Sequence, residues 1–272
     1  MYTWFLLSIL LTISLAAPTS KAACSRATLA AASDAYISAQ TAGSLTPLSP
    51  VVAPNWTYTE NNKSIDPAKG VLVKSLKIDH RRTIYDLVQC ATYSEVISVS
   101  GPYVIGTQIR HNADGKVVLI DSVASTTGSW LFNAAKTLEY VKQEKWEPIP
   151  KEKQDKREVI QAAGDAYMSM WASETAHLEV PWGTPCVRLE GSAYTGSGRP
   201  DDSCQPGIPS NHSQADNINR RYVIDEEMGS VSILCLWQHM MNAADSHEFR
   251  LENGKLRYVH TMTECGGRPC RL

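Results

Sequence analysis

The chain has 272 residues, 43% of them hydrophobic, which is enough apolar material to bury one large core or two modest ones. Its formal net charge of −2 excludes the strongly basic surface that nucleic acid or an anionic membrane would select. Tryptophan (7) outnumbers phenylalanine (3). The indole side chain has a large apolar face and one polar N–H donor, so tryptophan can line a pocket for an organic ligand or fill a core.

Residues 1–22 have the pattern of a signal peptide. An apolar run from Trp4 to Leu15 precedes small residues around Ala17 and Ala22, and it is too short to remain in a bilayer. No later run is long enough for a membrane helix, so we expect no membrane span. The pattern predicts a soluble protein of the secretory pathway, either secreted or held in a vesicle lumen.

A long internal repeat divides the remainder of the chain. The string from Asp34 to Ser38 returns 131 positions later, and Arg81-Arg82 and Gly115-Lys116 return 139 positions later. Repeats of this length indicate duplicated domains rather than a solenoid. We therefore predict a first unit over residues 23–141, a charged, proline-bearing linker over 142–157, and a second unit over 158–272.

The first unit is predicted to begin with an amphipathic helix that ends before Gly43. Aromatic and β-branched residues then predict a strand, followed by long strands and a hairpin at the Asp-Gly turn before Lys116. The predicted elements are a helix over 26–40, strands over 56–61, 83–99, 103–110 and 117–123, and a short helix or sheet exit over 130–140.

The second unit repeats this plan. Its predicted elements are a helix over 158–173 and strands over 187–190, 221–228, 231–237, 246–251 and 255–263. One large insertion, residues 191–214, is rich in Gly, Ser, Pro and Asp and accounts for the change of register. Such a segment predicts a surface loop that could act as a lid.

Sequons and cysteines agree with an oxidising compartment. Asn55, Asn62 and Asn211 begin glycosylation sequons. The seven cysteines include no Cys-x-x-Cys pair, and Cys235 lies within an apolar run that favours a buried free thiol. Spacing alone does not dictate connectivity; the pairs that we expect are Cys24 with Cys90, Cys186 with Cys204 and Cys265 with Cys270.

Several strings resemble one family of secreted fungal proteins built from two nuclear transport factor 2-like units, a fold also used by polyketide cyclases and ketosteroid isomerases. The similarity covers nearly everything after the signal peptide. The strings are Tyr58-Thr59-Glu60-Asn61, Ile78-Asp79-His80, Pro102 to Gln108, Trp130 to Ala134, Pro181 to Cys186, Arg220 to Glu226 and Tyr258 to Thr263.

This resemblance implies an α+β fold of two tandem cones, each a curved antiparallel sheet wrapped on helices, with a cavity on the concave side. It also implies a cyclase of fungal secondary metabolism. The sharpest form is a hetero-Diels–Alderase, which dehydrates a hydroxymethyl tropolone to an o-quinone methide and guides its [4+2] addition to a humulene-type terpene. No catalytic residue is carried over, so the candidate residues follow from chemistry.

Dehydration requires an acid near the leaving hydroxyl and a base near the tropolone hydroxyl. Glu60, on an inward strand, and His80 are the first candidates, followed by Asp121 and its repeat counterpart His260. Glu60 could equally pair with Arg81 or Arg82 as part of the scaffold. The histidines of the second unit's strands could be satisfied structural residues instead.

Aromatic residues supply the candidate substrate-binding groups, namely Trp56, Tyr58, Trp171, Trp182, Trp237 and the neighbouring His239. No nucleotide loop, nucleophile elbow or zinc spacing is present in the sequence, so we expect no cofactor and no metal. The expected partners are small apolar substrates, a tropolone with a terpene or a polyketide; the sequence leaves a homodimer open. The alternatives are a polyketide isomerase or dehydratase and a non-catalytic lipophile-binding protein.

Overall fold

The computed structural model describes residues 24–173, 175–205 and 214–270. The predicted signal peptide and the sequon at Asn211 lie outside these ranges. Helices in the described residues are α1 (Arg26–Ala42), α2 (Ala134–Val141), α3 (Arg157–Ser169) and the short α4 (Ala176–Glu179). No described helix combines the length and apolar character needed to cross a membrane.

The first cone packs a six-stranded sheet on α1. Ser25 caps this helix by accepting a hydrogen bond from the Thr28 N–H, and Gly43 ends it in the left-handed conformation at φ 63°. The sheet has the order β2-β1-β6-β5-β4-β3. Its strands are β1 (Val52–Glu60), β2 (Lys63–Ile65), β3 (His80–Asp86), β4 (Ala91–Ser98), β5 (Tyr103–His111) and β6 (Val117–Ser125).

The second cone repeats this arrangement on α3, with the sheet order β8-β7-β12-β11-β10-β9. Its strands are β7 (Val187–Glu190), β8 (Ala193–Tyr194), β9 (Asn217–Asp225), β10 (Ser230–Trp237), β11 (Ala243–Glu252) and β12 (Lys255–Glu264). The predicted fold class, two tandem units with a curved sheet on helices, is confirmed.

One detail of the prediction was wrong: the sheets are not wholly antiparallel. β1 runs parallel to β6, and β7 runs parallel to β12. Three successive hairpins fix the directions of β3 to β6, whereas the chain reaches β3 from β2 by crossing to the opposite edge. No hairpin therefore sets the direction of β1 against β6.

Each sheet has an inner face, which covers its own helix, and an outer face, which packs against the other sheet. The shared core between the outer faces includes Ile84 and Tyr93 of the first sheet with Val223 and Met262 of the second. Gly106 allows this close approach, since a Cβ there would lie 2.8 Å from the hydroxyl oxygens of Ser246 and Tyr93. The two cones are therefore joined back to back.

The three disulfides are the pairs that we expected, Cys24–Cys90, Cys186–Cys204 and Cys265–Cys270. Cys235 is a buried free thiol, also as predicted. Three disulfides are typical of an oxidising, extracellular environment. The Cys186–Cys204 bridge ties the insertion to the start of β7.

Candidate functional site

Two of the predicted catalytic residues, His80 and His260, come together between the outer faces. The imidazole of His260 is sandwiched by two carboxylates, with Nδ1 2.8 Å from Oε2 of Glu95 and Nε2 2.6 Å from Oε2 of Glu144. Burial disfavours the charged ring, but Glu144 and Glu95 outweigh it and raise the pKa of His260 to about 10. Burial lowers the pKa of His80, which lies 3.9 Å from Glu95.

The Arg82 guanidinium fills the centre of this cluster. Its Nη2 contacts Glu248, lies 3.4 Å from Glu95 and 3.3 Å from His260. Its guanidinium carbon is 3.6 Å from the ring centroid of Trp146 in the linker. The carboxylates and imidazole are close enough together to hold a metal ion, but the guanidinium occupies that position. The cluster is therefore a buried ion network that joins the cones.

Asp121 lies on the outer face as well, where Arg221 of the second cone binds its carboxylate. Burial outweighs this partner and raises the pKa of Asp121. The same guanidinium donates to Oδ1 of Asn62 at 2.7 Å, and the Asn62 amide nitrogen donates to the Cys235 carbonyl at 2.9 Å. The structure thus uses this predicted glycosylation residue as an inter-cone contact, while Asn55 is exposed on β1.

Glu60 lies on the inner face of the first cone, where we expected it. Its Oε2 accepts hydrogen bonds from the Tyr58 hydroxyl at 2.7 Å and the Val71 backbone N–H at 2.6 Å. The alternative ion pair with Arg81 or Arg82 is not formed, because each arginine binds a different carboxylate. Glu60 therefore ties β1 to the chain segment that follows β2.

Small hydroxyl side chains fill the rest of the first cone. Tyr36 of α1 shares a hydrogen bond of 2.9 Å with Thr107, which shares another of 2.9 Å with Ser122. Tyr58 is buried, and the predicted ligand residue Trp56 packs against the edge of this core. The interior of the first cone is filled by its own side chains, and most of its hydroxyls pair with one another, while those of Thr92 and Ser98 are buried without a partner among the described residues.

The second cone carries a different set of groups on its inner face. Nδ1 of His247 lies 2.6 Å from Oδ2 of Asp245, and both side chains are buried. Thr263 donates to the other oxygen of Asp245 at 2.6 Å, and the Cys235 thiol lies 3.6 Å from Oδ2. A histidine held by a buried aspartate has its ring orientation and tautomer fixed, which is the arrangement of a general acid or base.

Aromatic rings surround this pair. The centroid of the His247 ring is 5.6 Å from Phe249, 5.7 Å from Tyr167, 6.2 Å from Trp171 and 6.3 Å from Trp237. Trp182 packs edge-on against Tyr167 at 5.9 Å. Three of the predicted ligand residues, Trp171, Trp182 and Trp237, thus meet around His247. His239 does not join them, since it is exposed in the turn between β10 and β11.

Three polar atoms in this chamber are buried and have no hydrogen-bond partner among the described residues. They are Oγ1 of Thr261, Nε1 of Trp237 and Oδ1 of Asn217. Thr261 lies directly opposite His247 and Asn217 directly opposite Trp237, so all of them share the inner face. A buried polar group without a partner costs about 1–3 kcal/mol. Each of the three atoms therefore leaves hydrogen-bonding capacity unused inside the second cone.

The repeat supplies an internal comparison for this chamber. In the first sheet, Thr107 lies opposite Ser122, at the position that His247 and Thr261 occupy in the second. One step along the same strands, Ile105 lies opposite Ala124, where the second cone has Asp245 opposite Thr263. The duplicated scaffold therefore carries ionisable groups only in its second copy at these positions.

Our sequence reasoning missed Asp245 and left His247 among the structural histidines. A signal for both was present, since residues two apart in a strand project from the same face. Asp245-Ser246-His247 in a predicted strand therefore places an acid and an imidazole side by side. The sequence does not show which face of the strand is concave.

A family model described as "Domain of unknown function (DUF8021)" matches residues 153–263, which is the second cone. No curated protein matched the sequence. Among solved structures, an NTF2-like protein from Bacteroides fragilis is 10% identical and aligns over 83% of this chain and 94% of its own, with a TM-score of 0.20. A TM-score this low carries no argument about fold or function.

The interface network predicts a pH dependence of stability. Because the folded-state pKa of His260 is raised, its contribution is complete below its unfolded pKa of about 6.5 and is lost as the pH rises to about 10. We expect the free energy of unfolding to fall across this interval by up to about 1.4 kcal/mol per pH unit, measured by urea denaturation.

His260→Gln should abolish this pH dependence and lower the free energy of unfolding by about 3–5 kcal/mol at neutral pH. The exposed-site control His239→Gln should keep it; an unchanged slope in His260→Gln would contradict the assignment.

The unpaired hydroxyl of Thr261 predicts an unusual result for an isosteric substitution. Thr261→Val removes an unsatisfied group, so the free energy of unfolding should be unchanged or rise by about 1 kcal/mol. The matched variant Thr263→Val removes a hydroxyl that donates to Asp245 and should lose about 1.5–3 kcal/mol. Urea denaturation at neutral pH measures both. Equal losses in the two variants would show that Thr261 is satisfied in solution.

Proposed function

We propose that the protein is a cofactor-independent cyclase of secondary metabolism whose active site is the inner chamber of the second cone. The observation that carries the proposal is the His247–Asp245 pair enclosed by aromatic rings, with buried polar atoms left unpaired around it. The first cone, which lacks this pair at the equivalent positions, serves as the support. The fold is compatible with cyclases and isomerases of this kind.

His247 is the proposed proton-transfer group. With Nδ1 bonded to Asp245, Nε2 is the nitrogen that can accept a proton from an acidic hydroxyl of the substrate. Returning that proton to a leaving hydroxyl releases water, so one imidazole completes a dehydration without a net change in protonation. Burial raises the pKa of Tyr167, which keeps its phenol protonated as a neighbouring donor.

The sharpest form of the proposal is a hetero-Diels–Alderase. Loss of water from a hydroxymethyl tropolone gives an o-quinone methide, and a humulene-type alkene then adds to it without covalent help from the protein. Aromatic walls such as Trp171 and Trp237 would hold both reactants aligned in a dry site. Alignment of this kind can lower a barrier by up to about 7–11 kcal/mol. A polyketide isomerase or dehydratase would use the same His247.

Entry to the chamber requires movement of its covering segment. In the described state the aromatic side chains occupy the space over His247, and Trp171 and Trp182 lie on the connection between α3 and β7. The backbone N–H of Gln214, at the end of the insertion, donates to the Trp171 carbonyl at 3.2 Å. We propose that this connection opens to admit the substrate, in the role of the lid expected from the sequence.

The aromatic lining of this inner face also supports one other function, a secreted lipophile-binding protein without turnover. A binder needs the aromatic walls and the lid but not the proton-transfer pair. Both proposals keep the predicted secretory location, in agreement with the disulfides, and glycosylation at exposed Asn55. They differ in what His247 contributes.

The test measures the rate at which a hydroxymethyl tropolone and humulene form the adduct. The reaction is run with native protein and with boiled protein, and chromatography quantifies the product. We expect native protein to accelerate the reaction and His247→Gln to reduce the rate by at least about a hundredfold, the usual contribution of general acid–base catalysis. His239→Gln, an exposed histidine of the same cone, should retain full activity.

Thermal unfolding of each variant confirms that the fold persists. A folded His247→Gln protein with full activity would remove the proposed mechanism. Saturable binding of the tropolone with no acceleration over boiled protein would favour the lipophile-binding function instead.

A further inference from the structure

A cleft of about 360 Å³ lies on the second cone, away from the chamber of His247. Its walls come from the β7–β8–β12 edge of the sheet, from the insertion and from the beginning of the linker. The side chains that matter are Tyr194, Tyr258, Arg199, Pro200 and Arg257.

Arg257 carries an unpaired donor at this cleft. Its guanidinium lies over the ring of Tyr258, with the central carbon 4.2 Å from the ring centroid. Nη1 is buried and has no hydrogen-bond partner among the described residues. A buried guanidinium donor that lacks an acceptor is costly to maintain, and an anionic oxygen would satisfy both its charge and its hydrogen bond.

The acidic groups near the cleft are committed to other partners. Both oxygens of Asp202 accept hydrogen bonds from its own loop, from the hydroxyl and N–H of Ser197 and from the N–H groups of Gly198 and Arg199. Arg199 is exposed and lies 3.3 Å from exposed Asp201. Arg257 differs from Arg199 in this respect. The ring of Tyr258 positions its guanidinium, and no carboxylate among the described residues of the cleft pairs with it.

The other walls are flat and apolar. Tyr194 stacks on Tyr140 of α2 with centroids 4.4 Å apart and ring planes 7° from parallel, so its position is fixed. Tyr258 is equally fixed, since its ring stacks on Trp146 at 5.4 Å. Two immobilised rings and a proline beside one cation favour a planar organic molecule with a negative end over a hydrated inorganic anion.

We propose that this cleft is a binding site for a planar aromatic carboxylate, with Arg257 as the carboxylate-binding residue. The proposal is independent of the cyclase function, because it involves neither His247 nor the inner chamber. Its ligand would lie against the ring of Tyr194, with the carboxylate directed to the guanidinium of Arg257.

The test is isothermal titration of the full-length protein with benzoate, acetate, inorganic phosphate and neutral benzyl alcohol. We expect saturable binding of benzoate, and at least tenfold weaker binding of the other three probes. Arg257→Leu should weaken benzoate binding at least tenfold, and Arg257→Lys less than that. The matched control Arg199→Leu, which removes an exposed arginine of the same cleft, should change benzoate affinity less than threefold.

Pro200→Trp provides a second variant that does not alter Arg257, since it fills the cleft from the exposed insertion and should also abolish binding. Without ligand, unfolding curves should show Arg257→Leu to be at least as stable as the native protein. Benzoate should stabilise the native protein and Arg199→Leu but not Arg257→Leu. Undiminished benzoate affinity in Arg257→Leu or in Pro200→Trp would overturn the proposal. Equal affinity for phosphate or benzyl alcohol would do the same, as would no benzoate binding by the native protein.

Discussion

The contact of Arg82 with Glu95, Glu248 and His260 is the interaction on which the arrangement of the molecule depends. These charges lie between two apolar sheet faces, where each would be costly without the others. Their mutual pairing commits the outer faces to each other. The linker joins the same network, because Glu144 pairs with His260 and the ring of Trp146 packs against the Arg82 guanidinium. Because the outer faces are buried against each other in this way, they are closed to ligands.

The two inner faces have then diverged on one backbone. In the first cone, hydroxyls such as those of Thr107 and Ser122 pair with one another. At the equivalent positions of the second cone, His247 and Asp245 form an ionisable pair. The two inner faces therefore differ in the chemical groups that they carry, although the strands that carry them have the same order.

Buried polar atoms without a hydrogen-bond partner occur in several parts of the described chain, including the interface network at His80 and Arg82 and the first cone at Thr92 and Ser98. Such atoms alone therefore do not mark a ligand site. What distinguishes the inner face of the second cone is an imidazole held by a buried carboxylate and surrounded by aromatic rings. What distinguishes the Arg257 cleft is an open volume of about 360 Å³ beside the guanidinium.

The sequence by itself determined the duplication, the order of the long strands and helices and the free thiol at Cys235, because these follow from local patterns and repeated strings. The expected disulfide pairs were also correct, although cysteine spacing does not dictate connectivity. The sequence also singled out Trp171, Trp182 and Trp237, which belong to one aromatic cluster of the second cone. Only the tertiary structure decided which strand face is concave: His80, Asp121 and His260 were placed on the outer faces, and His247 on an inner one. Alternation along a strand defines two sets of side chains, but it does not distinguish the face that meets a helix from the face that meets another sheet. That choice depends on residues more than a hundred positions apart, such as Glu95 and His260.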